Sequence, residues 1–200
     1  MRTTDDRYAG ERARFDLAIR LIRHQARTHI ITRCTGFSQD RIRKLFATYF
    51  KHCGLDNVVR HRGKSPSSVE FFVRNPLVQA EASLLAHVFA LWGLLRIRPD
   101  LGTEPASVPS PLIFGQRFCD AYEDYCCARP ASTISFEHAW TLLMTLIAND
   151  ELLLLDCGGC SAVYVQDALA LDSRRCPACR IAGRARPPPP RVRPEVQPGA

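Results

Sequence analysis

Cys157-Gly158-Gly159-Cys160 and Cys176-Pro177-Ala178-Cys179 are two short cysteine pairs that decide how the C-terminal part of this chain folds. Two residues separate the cysteines of each pair, and fifteen residues separate the pairs. A Cys-x-x-Cys turn can aim both sulfurs at one point, because small residues such as Gly158 leave room for its backbone. Tetrahedral zinc takes four such donors at about 2.3 Å. The spacing therefore predicts a metal site whose ligands are Cys157, Cys160, Cys176 and Cys179.

This site is expected to hold one structural Zn²⁺ per chain. Four thiolates fill the tetrahedron and leave no open position for a substrate. They also give the site two net negative charges, which Arg174, Arg175 and Arg180 are placed to offset. A pair of disulfides and a thiol redox motif are the alternatives. Disulfides fit poorly, because nine cysteines are an odd number and we expect no signal peptide.

Charge is distributed unevenly along the 200 residues. Residues 1–64 carry a net charge of +9, residues 65–173 a net charge of −8, and residues 174–200 a net charge of +6. Basic ends around an acidic middle predict a polyanion-binding surface and a separate surface for another partner. A solvated charge imbalance without function is the alternative.

The longest apolar tract, Ala82 to Leu95, contains His87 and is shorter than the ~20 apolar residues that a membrane span requires. The N-terminus is polar and lacks the apolar core of a signal peptide. We therefore expect a cytoplasmic protein with no membrane partner.

A helix-turn-helix is predicted near the N-terminus. An amphipathic basic helix begins near Glu11, and a second helix ends before Gly36, where the turn needs a positive φ. Ser38 can cap the helix that follows. In a helix-turn-helix this last helix lies in the major groove of DNA. The predicted DNA contacts on it are Ser38, Gln39, Arg41, Arg43 and Lys44.

A basic loop follows, in which Arg60, Arg62 and Lys64 are further predicted contacts to the DNA backbone. Its Gly-Lys-Ser triplet, residues 63–65, lacks the first glycine of a phosphate-binding loop. We therefore reject nucleotide binding there. An idle surface loop is the alternative.

The predicted fold class is mainly α: a helical domain with an N-terminal helix-turn-helix and a C-terminal four-cysteine zinc-ribbon module. The segments are 1–10 as a disordered start, 11–66 as the basic DNA-binding region, 67–150 as the helical core and partner-binding region, 151–183 as the zinc-binding module, and 184–200 as a disordered Pro/Arg-rich tail.

Within these segments the apolar periodicity predicts individual elements. A buried helix runs from about Leu77 to Ile97, a loop from Arg98 to Pro111, and a helix from Ile113 to about Cys127. Ser135 caps a further helix. Residues 152–155 and 163–165 are predicted strands.

No catalytic constellation is recognisable, so we expect neither an enzyme nor a small-molecule substrate. Asp120, Glu123 and Asp124 form an acidic helical patch that is interpreted as solvated surface. His87 and His138 are interpreted as core or flanking residues and not as metal ligands.

The order of these motifs resembles FlhC, the flagellar transcriptional activator family of proteobacteria, over roughly residues 12–183. The resemblance is carried by Thr35-Gly36-Phe37-Ser38 with Arg41-Ile42-Arg43-Lys44-Leu45, by Gly63-Lys64-Ser65-Pro66, by His138-Ala139-Trp140-Thr141-Leu142 before Leu152-Leu153, and by the two cysteine pairs. It implies zinc on the four cysteines. It also implies a hetero-oligomer with the small helical protein FlhD that activates flagellar and chemotaxis promoters with RNA polymerase.

Two features depart from the pattern expected for the family. Phe71 and Phe72 stand where a tryptophan-bearing segment is expected, and the proline-rich tail is peculiar to this chain. These departures favour a diverged paralogue. The main hypothesis is a DNA-binding activator of flagellar, chemotaxis or motility genes, and the alternative is a zinc-ribbon protein-interaction module that does not bind DNA. A zinc-dependent enzyme ranks last.

Overall fold

A computed structural model of the chain describes residues 2–51, 68–170 and 175–183. The predicted contacts Arg60, Arg62 and Lys64, together with Arg174 and the tail from residue 184, lie outside the described residues. The described part is mainly helical, with two small antiparallel sheets, which confirms the predicted fold class at that level. No described helix has the length and apolar content to cross a membrane.

The elements follow one another in a simple order. The helices are α1 (Arg2–Arg23), α2 (Thr28–Thr35), α3 (Gln39–Phe46), α4 (Glu70–Val73), α5 (Pro76–Leu91), α6 (Pro111–Ala128), α7 (Phe136–Ala148) and α8 (Pro177–Ile181), and a π-helical turn, Ala47–Lys51, continues α3. The strands are β1 (Leu95–Ile97), β2 (Thr103–Pro105), β3 (Leu152–Asp156) and β4 (Val163–Asp167).

Helix α1 begins at Arg2, nine residues before the predicted helix start near Glu11. No proline interrupts residues 2–23. Once Leu17 and Leu21 anchor the helix in the core, extending it toward the N-terminus adds a hydrogen bond for each residue that is fixed.

Helix α5 ends at Leu91, six residues before the predicted end. Gly93 adopts a φ of +63°, which ends the helix and turns the chain back, and Arg117 Nη1 donates to its carbonyl over 3.2 Å. The next residues form β1, which pairs with β2. The predicted loop from Arg98 to Pro111 therefore contains a strand.

Helices α6 and α7 lie close to their predicted bounds because their N-terminal caps are local. Ser110 accepts a hydrogen bond from the backbone N–H of Ile113, and Ser135 accepts one from that of His138. The cap at Ser135 confirms its prediction.

One hydrophobic core joins α1, α2, α3, α5, α6, α7 and the β3–β4 hairpin. Phe118 of α6 lies at its centre and is fully buried. Its ring meets Phe136 and Trp140 edge-on at centroid distances of 4.9 and 5.1 Å, and stacks with Phe89 at 5.8 Å. Such ring pairs add about 0.5–1.5 kcal/mol each beyond the area they bury. Because α2 contributes buried residues to this same core, the core fixes the position of α2 relative to the other helices.

The acidic patch on α6 was predicted to be solvated surface, and it is partly exposed, but its three carboxylates also make specific contacts with other elements. Arg20 of α1 pairs with Asp120 at 2.6 Å and with Glu123 at 2.7 Å, and Asp124 accepts from the indole N–H of Trp92 at 3.0 Å. The hydrogen bond from Arg20 lowers the pKa of Glu123 to about 2, against burial, which acts to raise it. The patch holds α1 and α5 against α6.

Candidate metal centre and nucleic-acid interface

The four predicted cysteine ligands, called the cysteine cluster below, come together at one point. They are Cys157, Cys160, Cys176 and Cys179, and their sulfurs all lie within 4.8 Å of one another. The Sγ atoms of Cys157 and Cys179 are 3.9 Å apart, and those of Cys160 and Cys176 are 3.5 Å apart. A tetrahedron with metal–sulfur bonds of about 2.3 Å has edges of ~3.8 Å. The geometry therefore fits a single four-coordinate ion and is compatible with zinc.

The same distances bear on the alternative chemistries of these thiols. A disulfide brings two sulfurs to about 2.05 Å, and both distances are far longer than that. The four thiols are free, in agreement with metal ligation.

Local structure aims each sulfur at the site. Cys157 follows β3, and Cys160 closes the turn that leads to β4. Cys176 is the N-cap of α8, and its sulfur accepts from the backbone N–H of Cys179 at 3.4 Å. The sulfur of Cys157 accepts from the N–H of Cys176 at 3.3 Å, which links the two pairs. Backbone N–H donors of this kind favour thiolate over thiol, which is the form that a metal binds.

The thiolate form is most favoured at Cys157. Burial acts to raise its pKa, but backbone N–H groups of Cys176, Gly159 and Cys160 outweigh that effect and lower the pKa to about 6. The pKa values of Cys176 and Cys179 are raised, chiefly by burial at Cys176 and by the hydrogen bond with Cys160 at Cys179, so Cys157 is the cysteine of the three that is best placed to be the first thiolate ligand.

Two of the three arginines predicted to offset the charge of the cluster make hydrogen bonds beside it. Arg180 Nη1 donates to Gln79 of α5 at 3.0 Å, and Arg175 Nη2 donates to the carbonyl of Cys179 at 3.2 Å. Gln79 Nε2 in turn donates to the carbonyl of Val165 at 2.9 Å. Ser83 Oγ accepts from the N–H of Val165 at 3.0 Å. The cluster and its hairpin are thereby attached to α5.

Helices α2 and α3, with residues 36–38 between them, form the second candidate site, called the helix pair below. Gly36 has a φ of +73°, and its N–H bonds to the carbonyl of Thr32 at 2.8 Å. Ser38 caps α3 by accepting from the N–H of Arg41 at 3.3 Å. The positive φ at Gly36 and the cap at Ser38 were both predicted, and both are confirmed. Together these two features set the angle at which α3 leaves α2.

The helix pair is anchored by apolar side chains on its inner face. Ile31, Phe37, Ile42 and Leu45 are all buried. Thr32 stands where a helix-turn-helix usually has a small residue such as alanine, and its Oγ1 is buried with no hydrogen-bond partner among the described residues. The inner face of the helix pair is therefore packed into the core, and the outer face of α3 is the one exposed to solvent.

The outer face of α3 carries the predicted DNA-contacting residues, and the structure brings them together on one helix. Ser38, Gln39, Arg41, Arg43 and Lys44 are all exposed. Two of the three cations already have carboxylate partners. Arg43 pairs with Asp40 at 2.9 Å, and Arg41 pairs with Glu11 of α1 while its guanidinium lies 3.9 Å from the centroid of the Phe37 ring.

Glu11 was not among the predicted site residues, and two arginines that add to the positive charge of residues 1–64 pair with distant carboxylates. Arg20 faces the acidic residues of α6, and Arg27 pairs with Glu137 at 2.5 Å. That pair is well buried, with side chains 14% and 10% exposed. The partners lie about a hundred residues apart in the chain, so no local spacing could reveal them. The favourable first-turn position of Glu137 was the only available signal.

The two histidines that the sequence placed in or beside the core do lie there. His138 stacks on Phe71 with ring centroids 3.9 Å apart, and Nδ1 of His87 contacts the carbonyl of Ser83 at 2.7 Å. Burial, followed by the charge of Arg74, lowers the pKa of His138. Neither belongs to the cysteine cluster.

No protein-family model matches the chain, and no curated protein matches it.

Proposed function

We propose that this protein is a DNA-binding transcriptional activator of the FlhC type, in which the helix pair works as a helix-turn-helix. The observation that carries the proposal is the outer face of α3, where exposed Gln39, Arg41 and Arg43 stand on a buried apolar anchor. Side chains of these types read base edges and hold phosphates when a helix lies in the major groove. The resemblance in motif order supports flagellar, chemotaxis or motility promoters as the targets.

In this mechanism the helix pair docks as a rigid unit. Gln39 and Arg41 or Arg43 reach base edges, while Ser38 and Lys44 contact the phosphate backbone. Arg60, Arg62 and Lys64 of the basic loop add phosphate contacts. Arg41 must exchange Glu11 for DNA, and Arg43 must exchange Asp40.

The cysteine cluster holds one structural zinc ion in this proposal. The ion joins the turn after β3 to the N-terminus of α8, and its binding energy becomes folding energy for that part of the chain. Metal analysis of the purified protein should give one zinc per chain. Because all four coordination positions are filled by cysteine, the ion would have no catalytic role.

A helical partner of the FlhD type is proposed to bind on α5. Leu77, Leu84 and Leu91 recur every seven residues and are 65%, 40% and 86% exposed; we call them the leucine stripe. Seven-residue spacing lines one face of a helix that packs against another helix.

Leu84→Glu should abolish capture of an FlhD protein, whereas Leu169→Glu, at an exposed leucine outside α5, should not. RNA polymerase recruitment would follow from assembly of this complex on a promoter.

The test is binding to a flagellar promoter fragment across a salt series, with and without an FlhD protein from the same source. We expect tight binding that weakens steeply as salt rises, because several phosphate contacts release counterions. Arg41→Glu with Arg43→Glu should abolish it. The matched control is Arg96→Glu with Arg98→Glu, which makes the same charge change at two exposed sites on β1 and directly after it.

The alternative is a zinc-ribbon protein-interaction module that does not bind DNA. It is favoured by the carboxylate partners that Arg41 and Arg43 already have. If a protein that holds one zinc captures the helical partner but binds no promoter DNA in either condition, this alternative replaces the first proposal.

A further inference from the structure

A cleft of about 430 Å³ lies where the turn after α1 meets the start of α7, with Tyr122 of α6 at its side. Clefts of this size are typical of sites for small molecules. Neither the proposed DNA surface on α3 nor the cysteine cluster contributes to it, so the cleft has no role in the proposed function.

Positive charge dominates the lining of this cleft. Arg23 is exposed at its rim and forms no ion pair with the described residues, and Arg27 also lines it. The one carboxylate in the lining, Glu137, is satisfied by Arg27, whose side chain and backbone N–H both donate to it. Among the described residues the charge of Arg23 therefore has no carboxylate partner, which favours an anionic occupant.

Flat rings form part of the lining. His24 and Phe136 stack with centroids 4.8 Å apart and planes at 3°, and the ring of Tyr122 meets both of them edge-on. The Nε2 of His24 is fixed by Glu123 at 2.7 Å, and the hydroxyl of Tyr122 donates to the carbonyl of Ile134 at 3.1 Å. Phe136 is almost fully buried, so the part-buried rings of His24 and Tyr122 form most of the aromatic surface that a ligand can reach. Their own partners hold these rings in place, and such a rigid surface suits a flat apolar group.

The backbone at the rim ends α1 in a sharp turn that places Gln25 at the cleft. Gln25 has a φ of +59°, and the bonds from Gln25 N to Ile22 O and from Ala26 N to Leu21 O are those of a Schellman motif. Glycine is the residue that this position favours, because a side chain there is strained by about 1 kcal/mol. Here a glutamine occupies it, and its side chain lines the cleft.

From this juxtaposition we infer that the cleft binds a small organic anion, with a carboxylate or phosphate held by Arg23 and a flat unsaturated body against the aromatic rings. Arg27 precedes α2 directly, so the ligand sits beside the first residue of the helix pair. The inference goes beyond the proposed function and does not depend on it.

The experiment titrates the full, metal-loaded chain with benzoate, phenyl phosphate, inorganic phosphate and benzyl alcohol, each to about 10 mM, and follows the backbone amide signals of residues 23–27 by NMR. Benzoate or phenyl phosphate should shift these signals with saturation, and benzyl alcohol should not. Arg23→Gln should weaken binding about tenfold, the loss of one charge-assisted hydrogen bond. Arg12→Gln, an exposed arginine on the same helix, should leave binding unchanged.

A second variant separates binding from structure. Gln25→Gly should raise the melting temperature by relieving the left-handed strain, and it should weaken benzoate binding because it removes a side chain that lines the cleft. Either of two results overturns the inference: no saturable shift with any anion, or equal affinity in the wild type and Arg23→Gln. Benzyl alcohol that binds as tightly as benzoate overturns the anionic requirement, and inorganic phosphate that matches phenyl phosphate overturns the requirement for a flat body.

Discussion

The helix pair and the cysteine cluster are both short segments with sharp turns, but different forces hold them. The helix pair buries Ile31, Phe37, Ile42 and Leu45 in the main core. The cluster has its own small set of buried side chains, in which Tyr164 is the only large one beside three cysteines. Apolar burial stabilises the first region, whereas the second has little of it, and the proposed metal ion would supply the missing stability. Each region should therefore be disrupted by a different perturbation.

Metal loss should have the largest effect. We expect Cys157→Ser or a chelator to unfold residues 157–162 and 175–183, because structural zinc sites contribute about 10 kcal/mol or more to folding. DNA binding should weaken indirectly. Circular dichroism, melting temperature and metal content measure the change. Cys127→Ser, at an exposed cysteine outside the cluster, is the control. Unchanged stability and metal content in Cys157→Ser would contradict a structural metal site.

The second perturbation leaves the metal site unchanged and removes apolar packing from the helix pair. Ile42→Ala should destabilise the chain by about 2–5 kcal/mol in urea unfolding, since it leaves a cavity at a side chain that is 2% exposed. Its metal content should stay at the wild-type value. Leu77→Ala removes a leucine side chain from an exposed position and should change stability by less than about 0.5 kcal/mol. Loss of metal in Ile42→Ala would show that the two regions are not independent.

A smaller change should stabilise the helix pair. Thr32→Ala removes a buried hydroxyl that has no partner among the described residues and introduces a better helix former, so we expect a gain of about 1 kcal/mol. Thr35→Ala is the matched comparison, because the Thr35 hydroxyl donates to the carbonyl of Ile31 and accepts from the N–H of Phe37. Thr35→Ala should lower the stability by about 1 kcal/mol. Equal changes in stability in the two variants would contradict the conclusion that the Thr32 hydroxyl is buried without a partner.

The smallest expected effect concerns the proposed DNA surface. Glu11→Gln releases Arg41 from its carboxylate and should tighten promoter binding two- to fivefold, about 0.4–1 kcal/mol. Asp16→Asn removes the same charge from the same helix, but its partner is Arg12 and not a residue of α3. Equal gains in both variants would indicate a general charge effect and leave Arg41 without a special role.

Features that depend on neighbours in the sequence could be predicted. The cysteine spacing, the turn at Gly36 and the caps at Ser38 and Ser135 involve partners within four residues or a ligand geometry with known spacing. The helical class also follows from apolar periodicity. All four cysteines of the candidate metal site could therefore be predicted, and so could the turn and the cap of the helix pair.

Features that depend on distant partners could not be predicted. Arg20 and Arg27 have the same local context as solvent-facing arginines, yet their partners come from α6 and α7. Glu11 reaches Arg41 across the packing of α1 on α3. The end of α5 was missed for another reason, because apolar residues continue past Gly93 and only the backbone φ there distinguishes a helix from a turn.

The attachment of the hairpin to α5 has a consequence for biosynthesis. Ser83 and Gln79 bond to Val165, which lies more than eighty residues further along the chain. Translation proceeds from the N-terminus, so both polar groups emerge from the ribosome long before their partners exist. We expect the helical core to collapse first and the hairpin to dock afterwards, with metal uptake as the final step. Pulse-labelled hydrogen exchange during refolding should then protect the amides of α6 and α7 before those of β4.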